Sequence, residues 1–189
     1  MAYYFSLRPS LISCTLLTFL LFAESTFASK IVDVNLICEE VENPSFCSKF
    51  LNSKPGGAKG ADLGSLANYT VEVAFGNITK TVKLIKSLIA RSGKDREAKS
   101  HYEVCLIFFS EERGSLGGIM ETQKRLEARD YFGVITSATS VVANIEYCIS
   151  GDDPQDPPYP DKSKLPRYAR FIEQVVEIIL VISKYLTLE

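Results

Sequence analysis

The side chains best suited to nucleophilic or metal chemistry are few and widely spaced in this chain. Five cysteines are present, and no two of them have the C-x-x-C spacing that is typical of a zinc site. His101 is the only histidine, and no Gly-x-Ser-x-Gly elbow occurs that could hold a nucleophile. We therefore expect no catalytic residue, no metal site and no cofactor, and we expect His101 to be a surface or capping residue.

Acidic side chains occur in adjacent pairs, among them Glu39-Glu40, Glu111-Glu112 and Asp152-Asp153. Two carboxyl groups can hydrolyse a glycoside only when they flank the same bond. Neighbouring acids on one helix point in different directions, so solvated faces are the better explanation. The net charge of −2 also argues against nucleic acid as a partner, because binding to phosphates needs a basic surface. The sequence thus favours neither an enzyme nor a nucleic-acid-binding protein.

The first 28 residues predict a signal peptide. Residues 11–22 are mostly apolar, a run too short to span a bilayer, and Thr26-Phe27-Ala28 offers small residues where a signal peptidase cleaves. We expect cleavage after Ala28, secretion to the extracellular space, and no membrane association of the chain that remains. The apolar run Ile178–Ile182 near the C-terminus is interrupted by charged residues on either side, so we assign it to a buried helix.

Four cysteines remain once Cys14 has left with the signal peptide, and an even number in an oxidising compartment indicates two disulfides. Three pairings of these four cysteines are formally possible. Cys38 and Cys47 are only nine positions apart, around a predicted turn at Asn43-Pro44, which favours a bond between them. Cys105 and Cys148 are then left to form the second bond, which closes a long loop.

Helical periodicity dominates the rest of the chain and predicts an all-α fold with four long helices. Between the third and the fourth of these helices we expect a stiff proline-rich loop over residues 152–166. Glycines at 114, 117 and 118 predict a kink or a close helix approach in the second helix. The four helices are predicted to run from a cap at Asp62 to Ser92, from about Arg96 to Ala128, from Asp130 to about Ser150, and from Arg167 to Leu188. The third helix has a predicted core stripe that consists of Tyr131, Ile135, Ala138, Val142, Ile145 and Ile149.

A smaller helical unit precedes this bundle. Residues 31–42 form one predicted helix, Asn43 caps a second over residues 45–51, and a disulfide staples the two into a hairpin. A flexible linker over residues 55–60 follows. The predicted domains are therefore a signal peptide (1–28) and one domain (29–189), which comprises the hairpin with its linker (29–61) and the four-helix bundle (62–189).

Two intact N-glycosylation sequons begin at Asn68 and Asn77, whereas proline excludes the one at Asn43. At about 100° per residue, Asn68 and Asn77 lie on opposite flanks of the first bundle helix. We expect at least one of them to carry sugar, and a flank that does so cannot contact a partner protein.

Several short motifs after residue 28 carry a family resemblance. They are Leu36-Ile37-Cys38 with Cys47 nine residues later, Tyr102-Glu103-Val104-Cys105, Asp130-Tyr131 opening a helix that ends at Cys148, and the closing Ile179–Ser183. In these motifs the chain resembles the plant invertase and pectin methylesterase inhibitor family over nearly its whole length after residue 28. This resemblance implies an up-down-up-down four-helix bundle with an N-terminal hairpin and the same two disulfides. It also implies a secreted protein of the cell wall that occludes the active-site cleft of its target enzyme.

The resemblance leaves two target enzymes open. Invertase inhibitors resemble one another in a Pro-Lys-Phe motif after the aspartate of the third bundle helix, and here Asp130 is followed by Tyr131-Phe132-Gly133. This favours pectin methylesterase as the partner, with cell-wall or vacuolar invertase as the alternative. The segment Tyr147-Cys148-Ile149-Ser150 departs from the Thr-Cys-x-Asp that pectin methylesterase inhibitors often have, which keeps open a role in which inhibition has been lost.

The most plausible mechanism is competitive occlusion by a rigid helical face, as a monomer in a 1:1 complex. Phe132 and Tyr147 lie off the predicted core stripe and are the aromatic anchors we expect, together with Asp130 and Ser150. Tyr131, on the stripe, is expected to pack inside. A more distant alternative is a secreted bundle that holds an apolar ligand in a cavity opened by the glycines at 114–118.

Overall fold

All regular elements in the part of the chain that the structure describes are α-helices, as the sequence predicts. The computed structural model describes residues 33–151 and 157–188, so the predicted signal peptide lies outside the described residues. Within them the chain forms seven helices: α1 (Val34–Glu39), α2 (Pro44–Asn52), α3 (Leu63–Arg91), α4 (Arg96–Phe109), α5 (Ser115–Glu127), α6 (Tyr131–Ser150) and α7 (Leu165–Leu186).

A four-helix bundle is built from α3, the consecutive pair α4–α5, α6 and α7. Helix α3 packs against α4, α5 and α7, and α6 packs against the same three helices. Among the described helices, α3 and α6 share no extensive contact, so they occupy opposite corners of the bundle. The predicted caps are present: the Asp62 side chain accepts from the backbone N–H of Ser65 at 2.7 Å, and that of Asp130 accepts from Gly133 at 3.0 Å.

The second bundle helix is broken into α4 and α5, which corrects the prediction of one helix over residues 96–128. A Cβ on Gly114 would lie 2.4 Å from the carbonyl oxygen of Phe108, because the chain folds back on itself at this point. A Cβ on Gly118 would lie 2.7 Å from Cγ2 of Val141 in α6. These glycines therefore allow a tight turn and a close approach of α5 to α6. They bring two helices together, which removes the reason to expect a cavity there.

The core stripe of α6 is rotated from the predicted one. The buried residues are Val134, Ala138, Val141, Ile145 and Cys148, whereas four of the six predicted stripe positions, at 131, 135, 142 and 149, are only partly buried. Cys148 must face α4 because it is bonded to Cys105, and this bond fixes the rotation of the helix. Tyr131 still packs against the edge of the core.

Helix α7 is the most buried helix of the bundle, with eleven buried residues. It begins at Leu165 with Pro166 in its first turn, where the missing backbone N–H has no helical acceptor to lose. The predicted non-helical stretch, residues 152–166, was therefore two residues too long at its end. Tyr168 of this helix is exposed.

The N-terminal hairpin is shorter than predicted but is closed as expected. Helix α1 ends at Glu39 instead of residue 42, because Asn43 precedes a proline and takes a non-helical conformation as the cap of α2. The Cys38–Cys47 bond joins the two helices, and Cys105–Cys148 joins α4 to α6, which are the two predicted pairings. The hairpin is held on α7 by Glu40, whose carboxylate accepts hydrogen bonds from Lys184 at 2.6 Å and from the Tyr185 hydroxyl.

The segment predicted as a flexible linker is a sequence of tight turns. Backbone hydrogen bonds run from Gly57 to Lys54 at 2.7 Å and from Ala61 to Ala58 at 3.1 Å. Ala58 is fully buried in the core. This anchoring fixes the path of the chain from the hairpin to α3.

Candidate partner-binding surface

Three of the four predicted contact residues lie on one outer face of α6. Phe132 and Ser150 are 18 residues apart, which is five full turns, so they point in the same direction from the helix axis. Along the axis they are about 27 Å apart. Tyr147 lies about 60° from this line. All three are exposed, Phe132 to 76 %. The helix thus presents these side chains together, with small exposed residues between them: Thr136, Thr139 and Ser140.

Asp130 has a structural role at the start of the same helix. Besides capping Gly133, its carboxylate accepts a hydrogen bond from the guanidinium of Arg125 at 2.8 Å. The capping N–H of Gly133 and the Arg125 side chain hold the pKa of Asp130 below its usual value. Its carboxylate is thus engaged within the protein, and its part in partner contact stays a prediction.

Tyr147 belongs to an apolar patch that spans two helices. Its ring is stacked on that of Phe108 in α4, with centroids 5.4 Å apart. Val104 and Ile107, which lie within one turn of Phe108, are 45 % and 58 % exposed. We call these four residues, Val104, Ile107, Phe108 and Tyr147, the α4–α6 patch.

The sequence prediction missed the α4 half of this patch. Its signal is the run Val104–Phe109, which is apolar at every position. A bundle helix needs only one apolar stripe for the core, so an all-round apolar turn leaves side chains for solvent or for a partner.

Helix α6 is apolar overall but only partly covered by the bundle. Among the described residues it is the one helix long and apolar enough to cross a membrane by length and composition. Only 28 % of its apolar window is buried inside the bundle, although its inner residues and its disulfide hold it there. Its exposed residues are two aromatic side chains, Phe132 and Tyr147, and five polar ones: Thr136, Thr139, Ser140, Glu146 and Ser150.

Charged groups lie on the same two helices as the α4–α6 patch. Lys99 and Glu103 form an exposed ion pair at 3.8 Å on α4, and Glu146 is exposed beside Tyr147. A shallow groove of about 360 Å³ continues from Ile107 to the end of α4 and is lined by Glu103, Leu106, Ile107, Ser110, Glu112 and Arg113. An apolar centre with a charged rim is the usual composition of a protein–protein interface.

A buried disulfide and a hydrogen bond hold the outer face of α4 and α6 rigid. The buried Cys105–Cys148 disulfide joins the two helices next to Phe108 and Tyr147. At the other end, the Thr122 hydroxyl of α5 donates to Ser137 of α6 at 2.9 Å. A face that is fixed before binding loses little conformational entropy on binding.

His101 is not the surface residue that the sequence predicted. Its ring is stacked on Tyr159 with centroids 4.4 Å apart, and its Nε2 lies 3.9 Å from the buried carboxylate of Asp161. Burial lowers the pKa of His101, while Asp161 opposes this shift. The imidazole therefore packs the loop after α6 onto α4.

Asp161 is the centre of this attachment. Its carboxylate accepts hydrogen bonds from the Tyr102 hydroxyl at 2.9 Å, from the backbone N–H of Ser163 at 2.7 Å and from the Ser163 hydroxyl at 3.0 Å. Burial and the bond to Asp161 raise the pKa of Tyr102 to about 12, so the phenol remains a donor. Both carboxylate oxygens of Asp161 are thus engaged in holding the loop. The described residues contain no cluster suited to a metal ion.

The two sequon asparagines lie on α3, away from this surface. Asn68 is exposed and Asn77 is only partly exposed. Since α3 and α6 occupy opposite corners of the bundle, neither asparagine borders the outer face of α6.

Comparison with known proteins identifies the family. The family model described as plant invertase/pectin methylesterase inhibitor matches residues 32–182. Pectinesterase inhibitor 1 of Arabidopsis thaliana is 29 % identical over 90 % of this chain and 91 % of its own length. The pectinesterase inhibitor of Actinidia deliciosa is 28 % identical over 81 % of this chain and 78 % of its own length.

Solved structures agree with these relatives. A crystal structure of a mutant form of an Arabidopsis pectin methylesterase inhibitor superposes with a TM-score of 0.66 at 28 % identity, covering 78 % of this chain and 93 % of that one. A crystal structure of a pectin methylesterase inhibitor from Arabidopsis thaliana gives 0.58 at 26 % identity, covering 81 % and 95 %. With its four-helix bundle, its hairpin and its two disulfides, the chain belongs to the plant invertase/pectin methylesterase inhibitor family.

Proposed function

We propose that this protein inhibits pectin methylesterase, also called pectinesterase, by covering the active-site cleft of the enzyme without chemistry of its own. The observation that carries this proposal is the rigid, partly apolar outer face of α4 and α6, which belongs to a chain whose relatives are named pectinesterase inhibitors. The protein is then the ligand of an enzyme and not an enzyme itself.

The binding surface in this proposal consists of the α4–α6 patch and the exposed residues of α6 from Phe132 to Ser150. The aromatic side chains supply anchoring area, and the charged rim excludes water and sets the orientation. Phe132 is the most exposed of the aromatic anchors, with 76 % of its surface accessible. Because it contributes little to the core, its role in binding can be tested without unfolding the bundle.

Secretion completes the proposal. The predicted signal peptide sends the protein to the cell wall, where the two disulfides persist and the target enzyme meets its pectin substrate. We infer a monomer that forms a 1:1 complex, because one continuous outer face carries the proposed contacts.

The direct test uses the oxidised protein from Ser29 to Glu189 with plant pectin methylesterase and, in parallel, with cell-wall invertase at mildly acidic pH. We expect loss of esterase activity at near-stoichiometric protein and no loss of invertase activity. Inhibition of invertase alone would show that the segment after Asp130 does not identify the target. No effect on either enzyme would contradict inhibition altogether.

A variant makes the same assay specific for the surface. Phe132→Ala should weaken esterase inhibition while the melting temperature stays within about 2 °C, since exposed substitutions usually change stability by less than about 0.5 kcal/mol. A large fall in melting temperature would instead place Phe132 in the core.

A further inference from the structure

The two sequons of α3 are not equivalent in the folded protein. Asn68 is exposed, its Nδ2 donates to the carbonyl oxygen of Gly64 at 3.0 Å, and its Oδ1 accepts from Gln123 of α5 at 3.4 Å. Asn77 is partly buried, and its Nδ2 donates to Val73 at 2.8 Å. Their separation of nine positions amounts to half a turn beyond two full turns, so the two side chains leave opposite sides of the helix.

The surroundings of Asn68 have room for a sugar. An open surface concavity of about 650 Å³ lies against it. The ring of Tyr69 and the ring of Pro55 provide apolar surface of the kind on which the face of a sugar packs, and Lys54 and Glu72 offer polar partners. A first sugar attached to Asn68 can therefore extend along the surface without displacing a core side chain.

Asn77 lies on a less accessible part of α3. It is partly buried, and Ile78 beside it is fully buried. The hydroxyl of Thr79, the third residue of this sequon, is buried without a hydrogen-bond partner among the described residues. Asn77 therefore offers less free surface to a bulky group than Asn68 does.

We propose that Asn68 carries an N-linked oligosaccharide in the secreted protein and that Asn77 does not. The transfer uses a lipid-linked oligosaccharide diphosphate as donor: a bond forms between Nδ2 of Asn68 and C1 of the sugar, the C1–O bond to the diphosphate breaks, and the lipid diphosphate leaves as the amide loses one proton. This step rests on the predicted secretory route.

The order of events follows from Thr70, the third residue of the first sequon. Thr70 is fully buried, and its hydroxyl donates to Leu66 at 2.7 Å. Transfer therefore precedes folding of α3. A sugar on Asn68 stays on the open surface when the chain folds, whereas a sugar on Asn77 has to be accommodated at a partly buried position, which disfavours folding and secretion of chains modified there.

The position of the sugar is compatible with the proposed inhibition. Asn68 lies on α3, which shares no extensive contact with α6 among the described helices, and its side chain is hydrogen-bonded to Gln123 of α5 and not to α4. The oligosaccharide thus leaves the outer face of α6 free for the enzyme.

The test is the intact mass of the full chain secreted by plant cells, before and after digestion with peptide N-glycosidase A. We expect a shift that corresponds to one oligosaccharide in the wild type, its loss in Asn68→Gln, and its retention in Asn77→Gln. An unmodified wild-type protein, two oligosaccharides, or a shift that disappears in Asn77→Gln would each overturn the proposal.

Esterase inhibition gives a second, independent measurement. The glycosylated wild type and Asn68→Gln should inhibit pectin methylesterase within twofold of each other, and a tenfold gain on removal of the sugar would overturn the placement away from the binding surface. If neither protein inhibits, the mass measurement still decides glycosylation, so failure of the proposed function is distinguished from failure of this inference.

Discussion

Helices α6 and α7 are neighbours of similar length and apolar character, yet they use their apolar residues in opposite ways. Helix α7 has eleven buried residues among its 22, whereas α6 has five among its 20. The apolar side chains of α7 are accounted for by the core, since its stripe from Ile172 to Leu186 is almost completely inaccessible. Those of α6 are covered less completely, and Phe132 and Tyr147 are exposed. Exposed apolar side chains of this kind are candidates for contact with a partner protein.

Truncation of a buried side chain in α7 should reduce stability more than any other change proposed for these helices. Ile179→Ala should lower the free energy of unfolding by about 2–5 kcal/mol, because it leaves a cavity in a fully buried site. Urea denaturation of the oxidised protein measures this change. The matched variant Phe132→Ala on α6 should lower it by less than about 0.5 kcal/mol. Equal losses would erase the distinction between the two helices.

The next effect concerns binding through the α4–α6 patch. Ile107→Asp places a charge in the centre of the proposed interface and should weaken esterase inhibition at least tenfold, while unfolding changes little because Ile107 is 58 % exposed. Inhibition constants at fixed ionic strength provide the measurement. Phe75→Asp is the control, since Phe75 is similarly exposed but lies on α3. A loss of inhibition in the control would move the binding surface to α3.

A smaller effect separates the two possible roles of Asp130. Asp130→Ala removes the cap of α6 and should cost about 1 kcal/mol of unfolding free energy, whereas Asp130→Asn keeps a capping oxygen and should retain most of it. Thermal unfolding of both variants measures this. If Asp130→Asn inhibits as well as the wild type, the carboxylate is structural. A tenfold loss of inhibition without loss of stability would make it a contact residue.

A still smaller effect is a pH dependence of stability that arises where α7 faces α6. Burial, followed by repulsion from Glu146 of α6, raises the pKa of Glu173 of α7, with Arg170 opposing. The folded state therefore binds the proton more tightly than the unfolded state does, and this contribution to stability is present at low pH and lost as the pH rises through the raised pKa.

The variant Glu173→Gln has no such proton to lose. Its stability relative to the wild type should increase as the pH rises from about 4 to 7, which thermal unfolding across that range measures. Glu72→Gln, an exposed change on α3, serves as the control. A relative stability of Glu173→Gln that is independent of pH would contradict the assignment.

Much of the fold followed from local signals in the sequence. The caps at Asp62 and Asp130, the proline after Asn43 and the cysteine spacing act over a few residues, so they predict helix starts and the hairpin correctly. The break at residues 110–114 could not be placed, because it depends on how the Gly114 backbone meets Phe108 in space. The rotation of α6 is likewise set by the distant Cys105.

The proposed binding surface was only partly predictable for the same reason. Phe132 and Tyr147 stood out because they lie off the core stripe of their own helix. The exposed side chains of α4 next to Phe108 did not, since the stacking of Phe108 on Tyr147 is a tertiary contact between two helices. The attachment of His101 to Asp161 joins residues 60 positions apart, and nothing local to His101 indicates it.

In the proposed complex the enzyme binds the outer face of α6 and α4 and leaves α7 uncovered. Two exposed tyrosines provide the most direct test, since Tyr147 lies on α6 and is 45 % exposed, and Tyr168 lies on α7 and is 36 % exposed. Inhibition constants for pectin methylesterase should rise roughly tenfold to a hundredfold for Tyr147→Ala, a loss of about 1.4–2.8 kcal/mol, and stay within twofold for Tyr168→Ala. An unchanged constant for Tyr147→Ala together with a raised one for Tyr168→Ala would contradict the account.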